Sequence, residues 1–235
     1  MKKHPWSERK LHFPWPKTIA EARALQVRWK DRIKLLPLKK LPELVAGVDA
    51  AFLDDKVIAA ACLFRYPDMA PLEEASAIRV CSFPYRPGFL SFREGPAIIE
   101  ALWRLKTKPD LILFDGQGIA HPRRMGIAAF IGVLLDAPAI GCAKSRLVGE
   151  FQEPGRSKGE WTALRYRGQT IGAVLRTKNN VRPVFVSPGH KMNLRSSIQI
   201  VLSCAKKYRI PEPLRAADSL AKRIASKYRG KSSSG

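Results

Sequence analysis

No apolar stretch of this 235-residue sequence is long enough to span a membrane: the longest, residues 127–135, is broken by Asp136 and Pro138, well short of the roughly 20 residues a spanning helix needs. The basic start, MKKHPWSERK, is followed by no apolar core of the kind a secretory signal carries, so none is expected. Cysteine is scarce and scattered. Cys62, Cys81, Cys142 and Cys204 form no CxxC pair, which argues against a disulfide scaffold and, with only four histidines, against a zinc site set by spacing. Reduced thiols in a cytoplasmic protein are the expectation. Internal repeats are absent as well. Acidic residues are few: 20 Asp plus Glu stand against 42 Lys plus Arg, a formal net charge of +22.

That excess is uneven. Residues 1–40 hold twelve basic and three acidic side chains and residues 186–235 eleven and two, whereas the middle is near balance. A surface so positive attracts polyanions, of which nucleic acid is the commonest; a merely solvated basic face or contact with anionic lipid are the alternatives. At 46% hydrophobic the chain can build one sizeable core, so a single domain over 1–235 is expected, with a basic helical region at 1–40 and a disordered tail at 230–235.

Thr18-x-x-Glu21 makes a capping box, and Leu25, Trp29 and Ile33 then recur every four residues, which predicts an amphipathic helix over 18–35, stopped by Pro37 and Pro42. Strand-like runs follow at 44–52, 57–64 and 75–83, the first two separated by LDDK, which suits a hairpin. Ser91-x-x-Glu94 reads as a second capping box opening a helix to about 107. A buried strand at 110–114, a helix at 123–135 and a buried strand at 137–142 are βαβ grammar, implying parallel pairing. Residues 149–160 read as a loop, then come strands near 170–176 and 183–187 and helices near 194–207 and 213–229. The class is α/β, a mixed sheet with flanking helices.

Ligands of such sheets gather at strand ends where the chain order switches. If the strand from 110 lies beside the first, Asp49 in AGVDAAF and Asp115 in LILFD become neighbours, and Glu94 can point to the same edge. Converging carboxylates supply the hard oxygens Mg²⁺ requires, with open positions for water and phosphate oxygens. Plainer roles exist: Glu94 fits its capping box, and Asp115 fits a brace for the turn at Gly116. Asp49, an acid inside an apolar strand, is harder to explain without a cation or donor.

Gly116 and Gly118 free the backbone behind that strand, and Gly126 does so one turn into the next helix, so a flat base could lie there; a tight strand-to-helix connection is the alternative. His121 can approach the acids or a phosphate, or serve the loop. Lys144 places an ammonium near the same edge, if it is not simply solvated. Pro84 and Pro87 stiffen the chain around Tyr85, which can then project and slip between bases, or else cover core edge.

In this order AGVDAAF, PYRPGFLSFRE, LILFDGQGIAHPRRMGIA and IGCAKSRL resemble the endonuclease V family, the deoxyinosine-directed repair nucleases, over most of the chain. The resemblance implies a ribonuclease H-like fold and Mg²⁺-dependent hydrolysis, with Mn²⁺ able to substitute, of the second phosphodiester bond 3′ to deoxyinosine, leaving 3′-hydroxyl and 5′-phosphate ends. It implies Asp49, Glu94 and Asp115 as metal-binding acids with Asp218 near them, His121 and Lys144 assisting at the phosphate, and Tyr85 as a wedge between strands. Backbone around Leu90, Gly116, Gly118, Gly126 and Ile127 would line the pocket for a flipped hypoxanthine. Two positions depart from the pattern: Arg86 stands where an aliphatic residue is usual in the wedge, and Phe130 where many relatives carry histidine. DNA containing deoxyinosine is the expected partner of a monomeric enzyme, with inosine-containing RNA and a non-catalytic basic nucleic-acid binder as the rival readings.

Overall fold

This computed structural model describes residues 12–232. Residues 1–11 of the basic N-terminal region lie outside it; the expected tail overlaps the end of the last helix, and residues 233–235 lie outside the described part.

The sheet starts as a meander. β1 (Leu44–Leu53) and β2 (Lys56–Arg65) are joined by Asp54-Asp55, and Asp54 takes the left-handed φ of 52° that such a tight turn needs and that aspartate tolerates. β3 (Ala70–Val80) continues antiparallel to β2. The chain then crosses over through helix α2 (Leu90–Trp103) to β4 (Leu111–Phe114), parallel to β1, and through α3 (Ile127–Leu135) to β5 (Ala139–Ala143), parallel to β4. β6 (Trp161–Tyr166), β7 (Gln169–Leu175) and β8 (Val184–His190) return antiparallel, giving one mixed eight-stranded sheet in the order β3-β2-β1-β4-β5-β8-β7-β6. Helix α1 (Ile19–Trp29) precedes the sheet; α4 (Leu194–Cys204) and α5 (Glu212–Ser232) follow it.

Alternation along the strands builds two cores. In β4, Ile112 and Phe114 face a layer that includes Leu25, Trp29, Ile98, Leu102 and Phe130 from α1, α2 and α3, while Leu111 and Leu113 face Val201, Leu214 and Ala217 from α4 and α5. With both faces covered, the central strand reads as a continuous apolar run, and each fully buried side chain contributes about 1.5–3 kcal/mol of burial. Gly47 lets α5 lie directly on β1: a Cβ there would stand 2.2 Å from the carbonyl carbon of Pro213.

Three local expectations need correction. The helix from 18 is shorter than its spacing suggests. Thr18 accepts from Glu21 N as a cap should, but after Trp29 the chain tightens into a 3₁₀ turn (Lys30–Arg32) and straightens at Ile33, drawn off by bonds from Lys34 N to His190 Nδ1 and from Leu38 N to Ser196 Oγ. The second capping box does not form. α2 starts at Leu90 after an N-cap, Phe89, that offers no side-chain bond, so Ser91 and Glu94 lie inside the helix and are buried. Finally, β6 is a strand the pattern did not call for; it is held to β7 by the Arg167-Gly168 turn, both residues at positive φ.

Candidate active site

Parallel pairing of Val48 with Phe114 is extended by a bond from Asp115 N to Val48 O (3.3 Å), which brings Asp49 and Asp115 side by side at the end of β4. β5 lies on the other side of β4, and Lys144 is the first residue past its end. From there its Nζ reaches Asp115 Oδ2 at 2.5 Å, Asp218 Oδ1 on α5 at 3.6 Å and Asp49 Oδ2 at 3.9 Å. One ammonium therefore faces three carboxylates from three elements. Asp218 is also bound by Lys222 at 2.8 Å, one helical turn further on.

The electrostatics follow from crowding acids where water is scarce. Burial, then the Asp115 charge, pushes Asp49 up to about 8 against the hydrogen bond from Ala50 N. Burial, then the charges of Asp49 and Asp115, holds Glu94 well above the usual carboxylate range, and no hydrogen bond or ion pair joins Glu94 to another described residue. Burial draws Lys144 down, but its hydrogen bond to Asp115 and the surrounding acids outweigh this and raise it. Burial acts to raise Asp218, yet the bond from Lys222 and the charges of Lys144 and Lys222 bring it below its ordinary value.

Among the described residues no three His, Cys, Asp or Glu side chains stand close enough together to enclose an ion, although Lys144 reaches three of the carboxylates. The donor chemistry nevertheless fits a hard divalent cation: the groups are carboxylate oxygens without thiol or imidazole, and burial and the neighbouring acids make two of them hold their protons, which a bound cation would counter.

Asp115 and Lys144 also line a cavity of about 380 Å³, whose wall is formed by Leu90, Gly116, Gly126 and Ile127 and whose rim carries Tyr85, Arg86 and Pro87. Acid cluster and cavity thus share a wall. Tyr85 projects, 73% exposed, between the exposed Pro84 and Pro87, with the Arg93 guanidinium 5.8 Å from its ring centre. Arg86 is exposed beside it. Gly118 is not part of the cavity wall: it backs onto β8, where a Cβ would fall 2.0 Å from Pro188 O, and its N donates to Ser187 Oγ. His121 is in the wall, but its ring is taken up by backbone. Nδ1 accepts from Arg123 N (3.1 Å) and Met125 N (3.4 Å), so Nε2 carries the proton and donates to Gly88 O (2.8 Å), and burial presses its pKa down to about 4. Phe130 lies in the core, fully buried, stacked on Trp29 at 5.1 Å and edge-on to Phe92 at 4.9 Å.

Sequence reasoning passed over several contributors. Gln117 lines the cavity and donates to Ser145 O (2.9 Å), and Leu147, 38% exposed, stands at the rim. Arg209 Nη2 donates to Lys144 O (2.9 Å) and Pro183 O (2.8 Å), fixing the backbone that carries the ammonium. Gln117, inside DGQG, was the one with a visible signal, a polar side chain between glycines at a strand end.

The profile of the Endonuclease V family matches residues 27–219. Endonuclease V of Trichormus variabilis is 51% identical over 211 residues, 88% of this chain and 96% of that protein, and the Methanothrix thermoacetophila enzyme is 54% identical over 179 residues, 76% and 80%. Among solved structures, Endonuclease V of Streptomyces avermitilis superposes with a TM-score of 0.88 at 41% identity, covering 92% of this chain and 96% of that one. Ciona intestinalis Endonuclease V in complex with a 24mer DNA containing an inosine followed by a ribo-adenosine superposes at 0.80 with 28% identity, covering 91% and 100%. The shared architecture is the ribonuclease H-like fold.

Proposed function

This chain belongs to the endonuclease V family, nucleases that hydrolyse phosphodiester bonds, and on that premise we propose that it cuts DNA at the second phosphodiester bond 3′ to a deoxyinosine, leaving 3′-hydroxyl and 5′-phosphate ends. The observation that carries the reading is the common wall: Asp115 and Lys144 face both the carboxylate cluster and a cavity floored by Gly116, Gly126 and Ile127. A base swung into that cavity leaves its backbone beside the acids. Asp49, Glu94 and Asp115 would hold Mg²⁺, or Mn²⁺ in its place, with Asp218 near; the ion, when bound, supplies activation of water and relief of charge on the leaving oxygen. Lys144 then turns from counter-ion of the aspartates to contact with the scissile phosphate as a point charge. His121, neutral and fixed, keeps the cavity wall in place next to that phosphate. Tyr85 enters the space the base leaves, and Arg86 adds a cation where the backbone passes. Hypoxanthine differs from guanine by a missing exocyclic amine, so a close-fitting wall rejects guanine by denying it room. The reading includes a monomer acting in the cytoplasm.

The test is a denaturing gel of an end-labelled duplex with one deoxyinosine, incubated with Mg²⁺ or EDTA. A single Mg²⁺-dependent cut one nucleotide beyond the inosine is expected, reduced by more than about 100-fold in Asp49→Ala and Asp115→Ala, since removing a ligand costs more than the 10- to 100-fold of an outer-shell change. Unimpaired cleavage by either variant would falsify the assignment. The ribo-adenosine beside the inosine in the Ciona complex favours one further reading, cleavage at inosine in RNA, which a matched RNA oligonucleotide separates.

A further inference from the structure

The loop that carries Tyr85 and the loop that closes the cavity are fastened by a side chain from neither. Gln26, on α1 and fully buried, donates from Nε2 to Gly88 O (3.0 Å) and to Met125 O (3.0 Å), while its Oε1 accepts from Arg123 Nε (2.6 Å). Gly88 follows the Tyr85 turn directly, and Met125 immediately precedes the cavity residues Gly126 and Ile127. The orientation of the amide is set by its partners: reversing it would set a donor against Arg123 Nε–H and an acceptor against two carbonyls. Gly88 O is a shared point, since His121 Nε2 (2.8 Å) and Arg123 Nη2 (3.1 Å) donate to it as well. Gly88 takes φ 81°, and a Cβ would stand 3.1 Å from both of those donors, so a glycine is needed for the carbonyl to be reached from three sides. Arg123 is itself braced over the Phe89 ring, 4.4 Å away.

We infer that Gln26 is a positioning residue: one amide on the N-terminal helix sets the span between the projecting Tyr85 loop and the cavity, so that prising strands apart and receiving the displaced base happen at one fixed distance. The inference rests on the proposed deoxyinosine reading and deepens it. A residue that only stabilised the fold would weaken all substrates alike. Gln26 acts where two loops must keep station, and a single strand has no partner to be prised from it. Loss of the amide therefore falls on duplex substrates.

The test uses Gln26→Met, which keeps length and apolar bulk while removing the three bonds, with Arg123→Met, a half-buried site, as a second approach to the same junction should the first variant melt below the assay temperature. Wild type and variants are assayed on one deoxyinosine strand, single and paired, and amide exchange is followed by mass spectrometry in the free proteins. The expected result is kcat/KM on the duplex lowered at least roughly tenfold relative to the single strand, mostly through KM. Exchange should be faster in 84–90 and 121–127 and unchanged in β1 and β4. An equal loss on both substrates, or exchange unchanged in both loops, overturns the inference. Wild type that cuts neither substrate overturns the deoxyinosine reading instead, and the exchange data still decide whether Gln26 joins the loops.

Discussion

Lys144 Nζ lies 2.5 Å from Asp115 Oδ2, and the same ammonium is the nearest cation to Asp49. Even beside that ammonium, burial first and the neighbouring acids second drive Asp49 up to about 8 and hold Glu94 well above its ordinary range. A divalent ion bound at these carboxylates, as proposed, would offset both the burial and the mutual repulsion.

Divalent ion should therefore stabilise the protein more as the pH rises. An aspartate whose folded pKa is near 8, against 3.8, favours the fold when protonated, and that contribution is lost as pH climbs through 8. Ion binding needs the ionised form and removes the penalty. The Tm difference between Mg²⁺ and EDTA, read by calorimetry, is expected to widen from pH 6 to pH 8 and then level off. A constant difference across that range would contradict the carboxylate assignment.

His121 carries the opposite dependence. With its folded pKa at about 4 against 6.5, it is neutral in the fold where the unfolded chain takes up a proton, so its contribution is complete above 6.5 and is lost as pH falls toward 4. The shift corresponds to about 3 kcal/mol at most. Urea melts of His121→Gln and wild type should diverge above pH 6 and converge at pH 4.

Phe130→Ala should cost about 3–5 kcal/mol in urea denaturation, the usual range for emptying a fully buried phenylalanine site, because its ring joins Trp29, Phe92, Trp15 and Phe13. Metal affinity, measured by titration calorimetry, should not change. A lowered affinity would mean that this position reports to the acids.

A formal charge of +22 implies binding dominated by phosphate contacts. For about 6–10 contacts, affinity for undamaged duplex should fall roughly 10³- to 10⁵-fold between about 50 and 200 mM salt. Fluorescence anisotropy across a salt series measures the slope, and a shallow slope would show that the basic excess lies off the binding path.

Much of this was legible because local patterns and the sheet agree. The hairpin at Asp54-Asp55, the parallel βαβ units and the neighbouring of Asp49 and Asp115 all follow from alternation and chain order. What escaped depends on burial. Ser91-x-x-Glu94 satisfies a capping pattern in one dimension, but the helix starts one residue before Ser91, so the capping role fails while the expected approach of Glu94 to Asp49 and Asp115 holds. Gly118 is free of a side chain for the sake of β8 rather than a ligand. His121 looks available in sequence until the two amides that claim Nδ1 are seen. Gln26 gave no signal, since its partners lie 62 and 99 positions away.

The missing side chain at Gly47 sets a length. Gly47 and Asp49 share a face of β1, and Gly47 is where the first turn of α5 touches bare backbone; Asp218 lies further along that same helix. The gap between the first and last acids of the cluster is thus gauged like the clearance of a bearing, by the thickness of what separates strand from helix. Even one added methyl at 47 would act as a shim, lifting α5 and with it Asp218 and the far wall of the site, without removing a single charged group.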